Sequence, residues 1–122
     1  MRLKIEKSQG ASCVIVQSDE IVISNVSSAL DFMMSISSET GCDCIALNKE
    51  AIHEDFFVLS TGLAGEILQK FINHRMKFAV IGDFSQYTSK ALQAFIYESN
   101  QGRDIFFVSL VEEAIEKFKK SY

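Results

Sequence analysis

Three short apolar runs punctuate the second part of the chain, at residues 45–48, 78–81 and 105–108. Runs of this kind are typical of strands that are buried on both faces of a sheet. Between them, apolar residues recur at spacings of three and four, which predicts amphipathic helices. Strand and helix therefore alternate three times after residue 44, and this order predicts parallel strands joined by crossover helices.

The first part of the chain has a different pattern. Residues 3–6 alternate between apolar and polar, which predicts an edge or half-buried strand. Residues 12–17 and 21–23 are rich in β-branched side chains, with Asp19 and Glu20 as a turn, so we expect a hairpin or a bent strand here. The first two strands should be antiparallel. Together with the later elements, they predict one α/β domain over residues 1–122, a mixed sheet of about four or five strands packed with about four helices.

The expected helices have recognisable ends. Asn25 is a suitable N-cap for the first helix, and Gly41 is a suitable end. Thr88 or Ser89 should cap the third helix, and Ser109 should form a capping box with Glu112 at the start of the fourth. The faces that these helices should bury carry Val26, Ala29, Leu30, Met33 and Ile36, then Leu63, Ile67, Leu68, Phe71 and Ile72, then Leu92, Phe95 and Ile96, and finally Val111, Ala114, Ile115 and Phe118.

Composition narrows the functional classes. The chain has a net charge of −4, and its acidic and basic residues are interspersed. No basic stripe predicts nucleic-acid binding, and no segment predicts a membrane anchor, so we expect a cytoplasmic protein. The three cysteines and two histidines are too few and too scattered for a structural zinc site. We therefore expect no metal and no cofactor.

Residues 44–118 resemble the STAS domain, named for sulfate transporters and anti-sigma-factor antagonists. The resemblance rests on the strand that ends at Asn48, on the order of the later elements, and on the turn Leu59-Ser60-Thr61-Gly62-Leu63, where the family typically has Asp-Ser-Ser-Gly-Leu. The whole chain also resembles a small bacterial family of unknown function, numbered four-one-eight-zero. The stretches that carry this second resemblance are ALNKEAIHEDFF, TGLAGEILQKF and YTSKALQAFIYESN.

The STAS resemblance implies a regulatory role for the turn. Thr61 holds the place of the phosphoacceptor for a partner kinase, with Ser60 beside it, although Leu59 replaces the family's aspartate. The helix that follows offers unpaired N–H groups to a phosphoryl group. A hydroxyl at this position can also simply cap the helix, and anion binding is a third alternative. If the turn is a docking surface, Asn48 and Ser60 would support it, and Leu63 and Gly65 would shape the contact.

A second candidate site lies at the carboxyl ends of the strands, where ligands bind in open α/β sheets. Asn48, Asp83 and Ser109 follow three successive strands, and Ser89 lies on the loop after Asp83. Four aromatic residues should lie near the same edge. If two of them are exposed, they mark a partner surface or a small apolar pocket, and otherwise they cover the end of the core; they are Phe56, Phe57, Phe84 and Tyr87.

Gly65 lies within the second predicted helix, where glycine is unfavourable. Its expected reason is close packing on the sheet or on a partner. No nucleophile with an adjacent base is evident, and the chain has no glycine-lysine phosphate loop. The expectation is thus a module that binds a protein partner, such as a kinase or regulator, or a second copy of itself. The alternative is a domain that binds a small molecule or lipid without catalysis.

Overall fold

The computed structural model describes residues 1–8 and 11–121. It contains five strands and four α-helices, which confirms the predicted α/β class. The strands are β1 (Arg2–Ser8), β2 (Ala11–Gln17), β3 (Cys44–Asn48), β4 (Lys77–Ile81) and β5 (Ile105–Val108). The helices are α1 (Val26–Thr40), α2 (Leu63–Asn73), α3 (Lys90–Gln101) and α4 (Val111–Lys120).

The five strands form one mixed sheet in the order of the sequence, β1-β2-β3-β4-β5. β1 is antiparallel to β2, with Ile5 opposite Val14, and all later neighbours are parallel. Since each parallel connection advances by one strand in the same direction, right-handed crossovers place α1, α2 and α3 on one face of the sheet. α4 follows the last strand and packs on the other face, across β2 to β5.

The two faces of the sheet differ in the size of their side chains. On the face of the three helices, Phe78 stacks on Phe71 of α2 at 4.3 Å between ring centroids, and Met33 of α1 belongs to the same core. On the opposite face, β3 and β4 present Cys44, Ala46 and Ala79 to α4. Because these side chains are small, a single helix can lie close to the sheet there, and Phe118 of α4 packs edge-on against Phe106 at 5.9 Å between ring centroids.

Residues 21–23 do not form the predicted strand or the second arm of a hairpin. Their only sheet-like contact among the described residues is an isolated bridge between Ile23 and Ile52. The N–H groups of Val22 and Ile23 both donate to the carbonyl of Ala51, and His53 N–H donates to the Ile23 carbonyl at 2.8 Å. The β-branched composition of this segment therefore serves a connection that crosses the end of β3, not a strand of the sheet.

Most of the predicted helix ends are confirmed. Asn25 and Ser28 form a capping box at α1, Gly41 ends that helix with φ of 71°, and the Ser89 hydroxyl accepts from Leu92 N–H at the start of α3.

Two details at helix ends were wrong. The Ser109 hydroxyl donates to Glu113 Oε1 at 2.6 Å and forms no capping box with Glu112, because α4 begins one residue later, after Leu110. Ile72 is 40% exposed because it lies in the last turn of α2, on the solvent side. No helix in the described ranges is long and apolar enough to cross a bilayer.

Candidate functional site

The connection from β3 to α2 builds the candidate site. It consists of three short 3-10 turns, at Lys49–Ala51, Glu54–Phe57 and Leu59–Thr61. The middle turn buries both Phe56 and Phe57, which are 1% and 3% exposed, with their ring centroids 4.9 Å apart. Both side chains are therefore part of the core, so Phe56 and Phe57 do not form the exposed pair that would mark a partner surface or an apolar pocket. This turn lies across the end of the sheet, so both rings find apolar neighbours.

The four predicted aromatic residues do come together. Phe57 stacks on Tyr87 at 5.3 Å between ring centroids, and Phe84 lies 6.3 Å from Tyr87. Phe84 also packs edge-on against Phe107 of β5 at 5.6 Å. Phe84 and Tyr87 are half-buried, and burial raises the pKa of the Tyr87 hydroxyl. The aromatic group thus covers the carboxyl end of the core, which is one of the three alternatives that the sequence left open for these residues.

Lys49 joins this group, and the sequence reasoning missed it. Its ammonium donates to the Tyr87 hydroxyl at 3.2 Å and lies 5.2 Å from the centre of that ring, within cation–π range. Gly82 makes room for the lysine stem, since a Cβ at Gly82 would lie 2.8 Å from Lys49 Cδ. No local signal reveals this arrangement, because it depends on a glycine that follows the next strand.

A groove of about 440 Å³ lies between the 3-10 turns and the start of α3. Its lining includes Phe57, Leu59, Ser60, Tyr87 and Ser89. The structure therefore brings one predicted hydroxyl of the turn next to the predicted loop before α3. Neither Phe56, which is buried, nor Phe84, which faces a different depression, lines this groove.

A second depression, of about 430 Å³, lies at the carboxyl ends of β4 and β5 and brings Asp83 and Ser109 together, as predicted. The Ser85 hydroxyl and N–H donate to Asp83 Oδ1 at 2.6 and 2.9 Å, and these bonds hold the pKa of Asp83 below its usual value. The hydroxyl of Ser109 likewise lowers the pKa of Glu113. Both carboxyl groups are exposed and satisfied locally, so they are poor general acids or bases at neutral pH.

Asn48 does not join these residues. Its side chain is buried and forms two hydrogen bonds with the backbone of Ser18, from Ser18 N–H to Oδ1 at 2.9 Å and from Nδ2 to the Ser18 carbonyl at 2.8 Å. The amide therefore fastens the chain after β2 to the end of β3. The expectation that Asn48 supports the Thr61 turn was wrong, because its bonds go to Ser18 and to Glu50.

Thr61 is exposed, yet its hydroxyl is fully engaged. Oγ1 lies within donor distance of the carbonyls of Asp55 and Val58, at 2.9 and 2.8 Å, and accepts from Leu63 N–H at 3.2 Å. The residue thus ties two 3-10 turns to the first N–H of α2. The N-cap position itself is Gly62, with φ of 75°, so Thr61 satisfies the helix end from one residue before the cap.

Ser60, in contrast, is exposed, and its hydroxyl forms no hydrogen bond with the part of the chain that the structure describes. A kinase can reach its hydroxyl without breaking a described contact. The two hydroxyls of the turn therefore differ, since one holds the local fold and the other is available.

Gly65 does not pack closely on the sheet, as the sequence suggested it could. It is exposed in the first turn of α2, and a Cβ built there meets nothing within 4 Å. It lies instead on an open groove of about 630 Å³ that runs along α2 toward Val26 of α1, bordered by Glu66 and Lys70. Nothing in the described structure requires glycine at this position.

The described residues contain no group of three or more His, Cys, Asp and Glu side chains placed to hold a metal ion. The His53-Glu54-Asp55 stretch is used locally, since His53 Nδ1 accepts from the Asp55 N–H at 3.1 Å. The cysteines are buried in the core, and burial raises the pKa of Cys13. They are therefore placed as packing residues rather than as reactive thiols.

Residues 8–118 match the family model described as Domain of unknown function (DUF4180). The match covers most of the chain, so the protein belongs to this family, as the resemblance of its sequence stretches predicted. No curated protein matches the chain.

Proposed function

We propose that this member of the DUF4180 family is a cytoplasmic regulatory module that binds a protein partner through the start of α2. The docking surface consists of the turn Ser60-Thr61-Gly62 and the adjoining exposed face at Gly65 and Glu66. The observation that carries the proposal is the bare backbone at Gly65. A glycine in a helix costs about 0.5–1 kcal/mol relative to alanine, and no contact within the described structure accounts for it.

A partner supplies the missing reason for this glycine. Without a side chain at Gly65, another protein can approach the backbone of α2 closely, beside the groove that reaches Val26. The neighbouring charges, Glu66 and Lys70, border the same groove and can orient the partner. The resemblance of this turn to the STAS domain supports the same surface, since that resemblance implies docking around the equivalent helix start.

Phosphorylation of the turn is the proposed switch, and the two hydroxyls have different consequences. A phosphate on Ser60 adds about two negative charges to the docking surface while the described contacts of the turn remain. A phosphate on Thr61 also removes the proton that Oγ1 donates to the carbonyls of Asp55 and Val58, so it loosens the two 3-10 turns. Either change alters a partner's contact with α2.

The test has two measurements on the protein in its host. The intact mass of the protein should show an added phosphate. Of the variants Ser60→Ala and Thr61→Ala, the one that removes the acceptor hydroxyl should lose this phosphate. A photo-crosslinking residue at position 69, in place of Gln69 on the groove, should capture a defined partner. The same photo-crosslinking residue in place of Glu116 on α4 is the control and should not capture this partner. The proposal fails if no phosphate is found and the two crosslinking positions give the same products.

Small-molecule binding is the second candidate, and the groove beside Phe57 and Tyr87 favours it. Its volume of about 440 Å³ is in the range of ligand sites, and its lining combines aromatic faces with the hydroxyls of Ser60 and Ser89. Native mass spectrometry of the purified protein should then show a copurifying ligand, and Tyr87→Ala should lose it. A mass equal to the chain alone in preparations from the host would contradict this candidate.

A further inference from the structure

The two edges of the sheet are finished differently. At β5, the side chain of Asn100 on α3 pairs with the outer backbone, accepting from Phe107 N–H at 2.8 Å and donating to the Phe107 carbonyl at 3.0 Å. The amide copies the hydrogen bonds of a neighbouring strand, so this edge cannot accept another strand at that point. β1 forms the other edge, and no described residue outside β2 hydrogen-bonds to its backbone.

From these edges we propose that β1 pairs with β1 of a second copy of this chain, in antiparallel orientation and centred on Ile5. The result is a two-fold dimer with one continuous sheet across both copies. An unpaired edge strand is a ready template for such pairing, and a two-fold axis makes the contact self-complementary and closed.

The charges along β1 select the register. In a two-fold antiparallel pair of identical strands, one residue must lie directly opposite the same residue of the other copy. The reason is that every second residue directs its backbone N–H and C=O groups toward the partner, and opposed residues must be of the same kind. A centre on Lys4 or Glu6 places two like charges face to face, and a centre on Leu3 places Arg2 opposite Lys4. A centre on Ile5 places Lys4 of each copy opposite Glu6 of the other, which is favourable for directly opposed residues.

The exposure of these residues fits the same register. Ile5 is 47% exposed in the middle of the edge strand, although it is a large apolar residue. In the proposed dimer, two Ile5 side chains lie side by side and cover each other. Lys4 and Glu6 project from the other face of β1, where they already form an ion pair at 3.3 Å with the lysine side chain 78% exposed. Pairing of two strands turns this single ion pair into a ladder of four alternating charges.

The charges also explain why the edge stays selective. Lysine on an edge strand generally discourages pairing with foreign strands. Here the order Lys-Ile-Glu is complementary to the same order in an antiparallel second copy, so residues that discourage pairing with other strands match a second copy of the chain.

Sedimentation equilibrium of the full chain over a range of concentrations tests the proposal. Wild-type protein should show a reversible monomer–dimer equilibrium that weakens as salt rises. Lys4→Glu and Glu6→Lys should each weaken dimerisation by at least about tenfold, because each places like charges opposite one another twice. The double variant Lys4→Glu/Glu6→Lys should recover the dimer, since the two charges exchange places and remain complementary.

A matched control is Glu98→Lys on the exposed face of α3, which reverses a charge away from the seam and should leave the equilibrium unchanged. Circular dichroism should show the same fold for every variant, because Lys4 and Glu6 side chains are 78% and 36% exposed. A wild-type protein that stays monomeric up to about 1 mM overturns the proposal. The proposal is also overturned if neither single variant weakens the dimer, because the dimer would then use another surface. It is likewise overturned if the double variant does not restore dimerisation.

Discussion

Gly65→Ala should stabilise the protein. The glycine is the third residue of α2, and a Cβ there meets no atom within 4 Å, so alanine gains no packing and suffers no clash. What changes is the backbone entropy of the unfolded chain and the helix propensity, together about 0.5–1 kcal/mol. With an unfolding entropy of about 2.1 cal/mol/K per residue over 122 residues, the melting temperature should rise by about 2–4 °C.

Gly82→Ala is the matched control, because the same substitution should have the opposite sign. A Cβ at Gly82 would lie 2.8 and 2.9 Å from Cδ and Cβ of Lys49, so the lysine stem must move. Its ammonium then loses the hydrogen bond to the Tyr87 hydroxyl and its place over that ring. The cost of such overpacking is about 1–3 kcal/mol.

Urea denaturation followed by far-UV circular dichroism measures both free energies of unfolding. A loss of stability in Gly65→Ala would contradict this prediction, because it would mean that the position is crowded or requires a glycine conformation. The same variant also informs the proposed function. If a partner approaches the bare backbone of α2, Gly65→Ala should reduce crosslinking from Gln69 while the protein itself becomes more stable.

Three further changes have defined outcomes. Asn48→Asp should lower the free energy of unfolding by about 2–3 kcal/mol at neutral pH in urea titrations, because a carboxylate would face the Ser18 carbonyl and Glu50 where the amide now donates. Thr61→Ala should cost about 1 kcal/mol by thermal melting and Thr61→Ser much less, since serine keeps the hydroxyl. The pKa of Asp83 is lowered in the folded state, so its contribution to stability is present above its unfolded pKa and is lost as pH falls through the folded pKa. In the Ser85→Ala variant, which lacks the hydroxyl donor, carboxyl NMR titration should show a higher pKa for Asp83 than in the wild-type protein.

The order of strands and helices could be predicted because each element carries its own pattern. The doubly buried strands are apolar at residues 45–47, 78–81 and 105–108, and Asn25 and Gly41 are suited to begin and end α1 by local chemistry alone. The prediction of a strand at residues 21–23 was wrong because it also rested on local composition. This segment is rich in β-branched residues, but it forms only an isolated bridge and no strand of the sheet.

The candidate site was only half predictable. Ser60, Thr61, Asp83 and Tyr87 were found because hydroxyls at a helix start and polar residues after strands have recognisable spacing. Lys49 was missed, since its position depends on the space left by a glycine beyond the next strand. The prediction that Asn48 supports the Thr61 turn was wrong, because the backbone that its side chain binds belongs to Ser18, 30 residues earlier in the chain.

The class of fold, the number of crossovers and the residues that form most of the core follow from local periodicity and helix caps, so they can be predicted from the order of amino acids alone. Which side chains remain available for contact depends on how the elements pack in three dimensions. The packing has the following results. It turned Phe56 and Phe57 inward together, engaged the Thr61 hydroxyl while leaving Ser60 exposed, and left Gly65 bare. It also closed one edge of the sheet with Asn100 and left β1 without such a cover among the described residues. Such outcomes depend on contacts between residues far apart in the chain, which no local pattern encodes.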